Sequence, residues 1–159
     1  MKKSLWVLLL GTGMLLAATP FGGKIILLDA NATDLAYNMP LKKYEKWLAE
    51  AELENGQKKQ FVSVKAMMQV YFHQPFFIKH GLLSAPIRNI YVQDWLSGKR
   101  IEAKKAYYVF GSRLVGPHGD DLIPFESEAN AKRFIAEHGG TKILPFTRLS
   151  KTLIRYLDT

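Results

Sequence analysis

The chain has 159 residues, with 22 lysines and arginines against 14 aspartates and glutamates, a formal net charge of +8 and no cysteine. Without cysteine it can form no disulfide, no thiolate metal site and no cysteine-linked lipid anchor. Its positive residues are scattered in pairs such as Lys42-Lys43 and Lys104-Lys105. They lack the aromatic interleaving of a nucleic-acid groove, so we expect a solvated face or an anionic membrane surface and no nucleic acid partner.

The N-terminus has the pattern of an export segment. Lys2 and Lys3 precede an apolar run over residues 5–23, an order that orients a segment in an export translocon. Ala30-Asn31-Ala32 supplies a small-x-small cleavage site, although residues 24–28 separate it from the apolar run. An uncleaved anchor is the alternative, because about 17–25 apolar residues can span a bilayer. We therefore predict a signal peptide or membrane anchor over residues 1–32 and one domain over residues 33–159. The protein would be periplasmic, either soluble or anchored to the inner membrane through residues 5–23.

The first half of the domain is predicted to be a ββα unit. A strand over residues 47–54 is followed by Asn55-Gly56, a strong hairpin signal because both residue types tolerate positive φ. The return strand covers residues 58–64. Apolar residues then recur at helical spacing over residues 64–73, with Ser63 placed to cap the first turn. Residues 74–84 are predicted to form a connecting loop or a short helix.

The second half repeats this order of elements. The predicted elements are strands over residues 89–95, 106–111 and 142–146, a turn at Ser97-Gly98 with the chain resuming at Ile101, and helices over residues 127–138 and 147–157. Phe125 to Ser127 before one helix echoes Phe61 to Ser63 before the other, which suggests two variants of one unit. The predicted fold class is α+β, with two hairpin-plus-helix (ββα-like) units and antiparallel sheet, preceded by the apolar export segment.

Several strings in this order resemble the nitrous-oxide-reductase accessory protein (NosL) family of periplasmic copper chaperones. The matching strings are residues 61–68 (FVSVKAMM), 91–95 (YVQDW), 101–109 (IEAKKAYYV), 111–112 (GS), 116–119 (GPHG), 122–125 (LIPF) and 131–140. The resemblance runs from about Met39 to the C-terminus. It implies an exported Cu(I)-binding protein that delivers copper to a multicopper respiratory enzyme.

Two departures from the family pattern concern the copper ligands. The family's Cys-Pro-x-Cys-Gly-Met segment aligns with residues 34–39, where only Met39 is kept. The family's Gly-Pro-Met-Gly loop aligns with residues 116–119, where His118 replaces the methionine. Cu(I) accepts both thioether and imidazole ligands. The resemblance therefore implies Met39 and His118 as the metal ligands of this chain.

Other interpretations of these residues stay open. Met39 could be an ordinary apolar contact and His118 an exposed turn residue. Met67 and Met68 lie on the first predicted helix and are expected to pack in the core. Asp120-Asp121 could do acid/base work, but a loop turn is the simpler expectation.

The two main functional hypotheses follow from the resemblance. The first is a Cu(I)-binding accessory protein or chaperone for a copper respiratory enzyme, such as nitrous oxide reductase, or for its assembly machinery. The second is a metal-free member of the family that binds a partner protein. No phosphate-binding loop, nucleophile elbow or His-Glu-x-x-His motif is present, so we do not expect an enzyme.

Overall fold

The computed structural model describes residues 24–159. The apolar run and the two lysines ahead of it lie outside the described residues. The strands are β1 (Ala49–Leu53), β2 (Lys58–Phe61), β3 (Ile87–Gln93), β4 (Arg100–Glu102), β5 (Tyr107–Phe110), β6 (Ile123–Phe125) and β7 (Lys142–Pro145). The α-helices are α1 (Val64–Phe72), α2 (Gln74–Lys79), α3 (Glu128–His138) and α4 (Lys151–Leu157). In this part of the chain no helix is long and apolar enough to cross a bilayer.

The strands form two antiparallel sheets, one from each half of the chain. The first has the order β2-β1-β3-β4, and the second has the order β6-β5-β7. One helix with a serine at its start packs on each sheet, α1 on the first and α3 on the second. Ser63 accepts a hydrogen bond from the Ala66 amide at the start of α1, and Ser127 accepts one from the Asn130 amide at the start of α3. The predicted α+β class and both predicted caps are confirmed.

The hairpin between β1 and β2 turns at the predicted residues, but by a different geometry. Gly56 has φ +83°, the left-handed region that glycine tolerates best. Asn55 does not adopt positive φ. It instead accepts a hydrogen bond from the Gln57 amide through Oδ1, at 3.1 Å. The connection is therefore a four-residue loop over residues 54–57 and not a two-residue turn with both residues at positive φ.

The main core lies under α1, which is buried along most of its length. Met67 and Met68 are both fully buried, as the helical spacing predicted. Helix α4 packs against α1 from the far end of the chain. A smaller cluster around Phe125 and Phe134 joins α3 to the second sheet. The first turn of α1 lies close to loops from both halves of the chain, because Lys65 contacts the His118 carbonyl and the Tyr37 ring.

Several predicted elements differ in extent; for example, the strand predicted over residues 89–95 lies at Ile87–Gln93, and the strand predicted over residues 58–64 ends at Phe61. Residues 41–47 form a 3-10 helix, so the first strand begins only at Ala49. Residues 74–84 contain α2, the short-helix alternative for this segment. The C-terminal helix predicted over residues 147–157 is divided into a 3-10 turn (Phe146–Arg148) and α4. The division occurs because Ser150 is extended and caps α4 by accepting from the Leu153 amide.

Residues 24–29 form an extended segment that lies on the first sheet. Ile26 is buried in the main core, at 5% exposure. The Lys24 carbonyl accepts a hydrogen bond from the Arg100 amide at 2.7 Å. Gln60 fixes the rest of the segment, because its side chain donates to the Leu27 carbonyl and accepts from the Asp29 amide. These residues are thus part of the folded domain.

Candidate functional site

The loop of residues 34–39 is closed by its own hydrogen bonds. The Asp34 amide donates to the Met39 carbonyl at 2.9 Å, and the Asn38 amide donates to the Asp34 carbonyl at 3.0 Å. Oδ2 of the buried Asp34 accepts from the amides of Ala36 and Tyr37, at 3.0 and 2.6 Å. Asp34 therefore fixes the loop that carries Tyr37 and Met39, two positions of the aligned family segment.

The loop of residues 116–119 is a tight turn that carries His118 at its tip. The Gly116 amide donates to the Gly119 carbonyl at 2.8 Å, and Gly119 has φ +80°. A side chain at Gly116 would collide with Asp121, whose Cβ would lie 2.7 Å from the added carbon. Glycine is needed at both ends of the turn, at Gly119 for its φ and at Gly116 for space.

The two loops meet through Tyr37 and His118. Their rings stack with centroids 4.0 Å apart and an interplanar angle of 10°. Both side chains approach the same carboxylate at the end of α4. The Tyr37 hydroxyl donates to Asp158 Oδ1 at 2.7 Å, and His118 Nδ1 lies 3.5 Å from that oxygen. Burial and the hydrogen bond to Asp158 raise the pKa of Tyr37, so the phenol is protonated at neutral pH. The His118 side chain is 49% exposed, which leaves its ring accessible from solvent.

A lysine lies beneath this cluster. Lys65, in the first turn of α1, has a side chain that is 0% exposed. Its Nζ donates to the His118 carbonyl at 2.5 Å and to the Leu157 carbonyl at 2.8 Å, and lies 3.5 Å from Asp158 Oδ1. The ammonium also lies 5.6 Å from the centroid of the Tyr37 ring. Lys65 thus joins α1, the His118 loop and the end of α4.

Two buried carboxylates near this cluster each have one oxygen without a hydrogen-bond partner. Among the buried side chains of residues 24–159, the oxygens without a partner are Asp34 Oδ1 and Asp121 Oδ2. The other Asp121 oxygen accepts from the amides of Lys65 and Leu122, at 2.9 and 2.8 Å. Burial raises the pKa of Asp121 to about 6, and burial also raises the pKa of Asp34. Asp121 was expected to be a loop-turn residue, and its burial went unpredicted.

An open cavity of about 460 Å³ lies beside His118, between its loop and the C-terminal residues. Its lining includes His118, Asp120, Tyr156, Asp158 and Thr159. Four of these five side chains carry oxygen as their polar atom, and His118 supplies the imidazole. Over residues 24–159, no group of three or more histidine, aspartate or glutamate side chains is arranged to hold a metal ion.

The structure brings together the two loops that carry the predicted ligands, but their chemistry is mixed. His118 is at the surface, while Met39 is half-buried and packs against the main core. Around His118 lie a phenol and a carboxylate, which are hard oxygen ligands, and an ammonium, which has no lone pair for a metal, so none of the three suits a soft ion such as Cu(I). Only the imidazole of His118 and the thioether of Met39 suit it. Lys65 and Asp158 were missed in the sequence, because a lysine in a first helical turn and an aspartate near a terminus are usually solvated.

The structure is a small α+β domain in which two antiparallel sheets position the 34–39 and 116–119 loops against each other. The family model described as NosL matches residues 26–154. Because that match covers most of the chain, the protein belongs to the NosL family. The match includes residues 26–29 of the extended segment on the first sheet, and it ends at residue 154, before Asp158.

Individual relatives show how far the likeness extends. The copper-binding lipoprotein NosL of Stutzerimonas stutzeri is 38% identical over 58 residues, a match that spans 36% of this chain and only 30% of that relative. The crystal structure of the copper chaperone NosL from Shewanella denitrificans superposes with a TM-score of 0.62 and 20% identity, over 82% of this chain and 98% of that one. At that identity the superposition shows a shared fold. The solution structure of apo-NosL from Achromobacter cycloclastes has 26% identity and a TM-score of 0.41, over 67% of this chain and 87% of that one.

Proposed function

We propose that the protein is a periplasmic accessory protein that takes part in assembling a copper respiratory enzyme, such as nitrous oxide reductase, with Cu(I) as its cargo. The observation that carries the proposal is the convergence of the 34–39 and 116–119 loops, made by the 4.0 Å stack of Tyr37 on His118. These are the two loops in which the family pattern has its ligands. Relatives named copper-binding lipoprotein and copper chaperone support copper as the cargo.

In this proposal His118 and Met39 are the metal ligands. The half-exposed imidazole is open to an incoming ion, and a neutral imidazole and a thioether are both ligands that Cu(I) accepts. With no thiolate, binding is weaker than in a cysteine-containing site. Weak binding suits a carrier that must release its ion to a client. The protein acts by carrying and handing over copper, without catalysis of its own.

A Cu(I) titration tests the proposal. Under anaerobic, reducing conditions with a competing chelator, we expect about one Cu(I) per chain, with affinity reduced at least about tenfold in His118→Ala and in Met39→Leu. His80→Ala is the matched control, because His80 is exposed and its Nδ1 contacts the Phe76 carbonyl within its own helix turn. Tyr37→Cys, which restores a thiolate at an aligned position, should tighten binding. Absent binding, or equal binding in wild type and His118→Ala, would refute the copper proposal.

A metal-free role is the second candidate, and Lys65 is the observation that favours it. Asp34 and Tyr37 stand at the two cysteine positions of the aligned segment, and the buried ammonium of Lys65 lies 5.6 Å from the centroid of the Tyr37 ring. In that case the protein has kept the fold and binds a partner protein, such as the client enzyme or its assembly machinery. The same titration distinguishes the two candidates, since a metal-free member binds no Cu(I) at the concentrations that load a carrier.

Export to the periplasm is part of the proposal and has its own test. The mass of the chain recovered from the bacterial envelope should correspond either to a start near Thr33, for a cleaved signal, or to a chain that retains residues 5–23 and partitions into the inner membrane. Full-length chain in the cytosol would contradict both forms.

A further inference from the structure

Lys65 is a buried cation that the proposed copper chemistry does not use. Among the buried residues of the part of the chain that the structure describes, it is the sole lysine or arginine. Moving an ammonium from water into a protein interior is unfavourable unless oxygens replace its hydration shell. The position of this amine therefore requires a set of acceptors that the fold provides.

Those acceptors come from two segments that are distant in sequence. The carbonyls of His118 and Leu157 accept hydrogen bonds from Nζ at 2.5 and 2.8 Å, and Asp158 Oδ1 lies 3.5 Å away. A lysine ammonium has three donors, so three oxygens match its capacity. Two backbone carbonyls and a carboxylate are also the kind of oxygen donors that bind a small hard cation.

The same carboxylate oxygen faces the imidazole. Asp158 Oδ1 lies 3.5 Å from Lys65 Nζ and 3.5 Å from His118 Nδ1, and it accepts from the Tyr37 hydroxyl at 2.7 Å. The ammonium thus neutralises the acid that stands beside the candidate ligand. It also fixes the backbone of His118, because that carbonyl is its nearest acceptor.

We propose that the Lys65 ammonium is a resident internal cation. It fills an oxygen-lined site between the His118 loop and the end of α4, and it holds both segments on α1 without any metal ion. The ligand class of this site is a primary ammonium ion. The Lys65 side chain supplies that ion from within the chain. This inference goes beyond the proposed copper chemistry and does not depend on it, because it concerns the inner face of the His118 loop.

Chemical rescue of Lys65→Ala in the full chain tests the inference. Alanine removes the side chain beyond Cβ, and propylammonium has the carbon and nitrogen atoms that are lost. In buffer with a metal chelator, the thermal midpoint of Lys65→Ala should fall by about 5–10 °C. Millimolar propylammonium should recover at least about half of that shift, since a ligand that binds only the folded state raises its stability.

Three controls separate the cation site from nonspecific effects. Tetramethylammonium has the charge without N–H donors, and 1-propanol has the chain without the charge; neither should rescue. Lys132→Ala removes an exposed lysine that pairs with Glu128 on α3, and its midpoint should move by no more than about 2 °C with no response to propylammonium. An unchanged midpoint in Lys65→Ala, or equal rescue by all three additives, would overturn the inference.

If Lys65→Ala does not fold, Lys65→Met keeps the bulk of the side chain and removes only the ammonium. The amides of the 116–119 loop and of residues 157–159 should then exchange hydrogen at least about tenfold faster than in wild type. Unchanged exchange in both segments would overturn the inference. Because both experiments are done without copper, their failure is distinct from failure of the Cu(I) titration.

Discussion

Helices α1 and α3 begin in the same way, but the buried aspartates that contact their first turns differ in their hydrogen bonding. Each begins at a capping serine, and each receives a buried aspartate from the other half of the chain. Asp94, after β3, accepts from the Glu126 amide just before α3, while Asp121, before β6, accepts from the Lys65 amide in α1. The exchange ties each half of the chain to the helix of the other.

The two aspartates differ in what remains unpaired. Both Asp94 oxygens have donors, with the Glu126 amide at 2.6 Å on Oδ1 and the Ser97 amide and hydroxyl at 2.8 and 2.7 Å on Oδ2. Asp121 accepts both amides on Oδ1, and its Oδ2 has no partner within hydrogen-bond geometry. Burial keeps the pKa of this carboxyl raised, because it outweighs the nearby Ser63 hydroxyl, which lowers that pKa. An unsatisfied buried polar group costs about 1–3 kcal/mol. The contact at α3 therefore stabilises the fold, whereas the contact at α1 retains an unfavourable carboxylate beside the candidate site.

The largest expected difference is between Asp94→Asn and Asp121→Asn at pH 7. An amide has one acceptor oxygen, so Asp94→Asn turns an NH₂ group toward existing donors and should lower the free energy of unfolding by about 3 kcal/mol. Asp121→Asn keeps the Oδ1 acceptor and removes a buried charge, so it should lower stability by less than about 1 kcal/mol or raise it. Urea denaturation measures both. Equal losses would show that the two contacts are equivalent.

The next effect is a dependence of stability on pH that comes from Asp121. Burial raises the pKa of this carboxyl from 3.8 to about 6 in the folded state. The folded protein then holds this proton more tightly than the unfolded chain does. Its contribution to stability is complete below about pH 4 and is lost as the pH rises through about 6, by about 2–3 kcal/mol in total. Denaturant midpoints between pH 4 and pH 7 should decline in wild type, and Asp121→Asn should flatten that part of the profile.

The smallest effect concerns the serine caps. Ser127→Ala should cost about 1 kcal/mol, a common value for loss of an N-cap. Ser63 is fully buried, so its loss leaves the Ala66 amide without water, and Ser63→Ala should cost about 2 kcal/mol. Equal values, measured by urea denaturation, would mean that solvent reaches both caps.

Most of the fold can be predicted from local sequence patterns. Ser63 and Ser127 identify the two helix starts because capping depends on residues three positions apart. Gly56 and Gly98 mark the two hairpin turns, and both have positive φ. The C-terminal helix was placed too early because the extended conformation of Ser150 was not recognised as a cap.

The candidate site was less accessible to sequence reasoning. Lys65 looks like a solvated lysine in the first turn of a helix, and its burial depends on Leu157 and Asp158, more than ninety positions away. The family resemblance drew attention to His118 and to the 34–39 segment, which the structure brings together through Tyr37. A bond between Met39, His118 and one ion stays a prediction.

The extended segment of residues 24–29, here called the strap, determines when a protease can cut the N-terminus. In the folded domain, the Ala32 amide donates to the Asp29 carbonyl, the Ala32 carbonyl accepts from the Leu41 amide, and Ile26 is buried. A protease needs an extended, unpaired strand, and this turn offers none. A cut after Ala32 would therefore have to occur before the domain folds. Once folding has finished, the strap protects the bond, so if the proposed signal is cleaved, any cleavage slower than folding would leave the N-terminal segment attached.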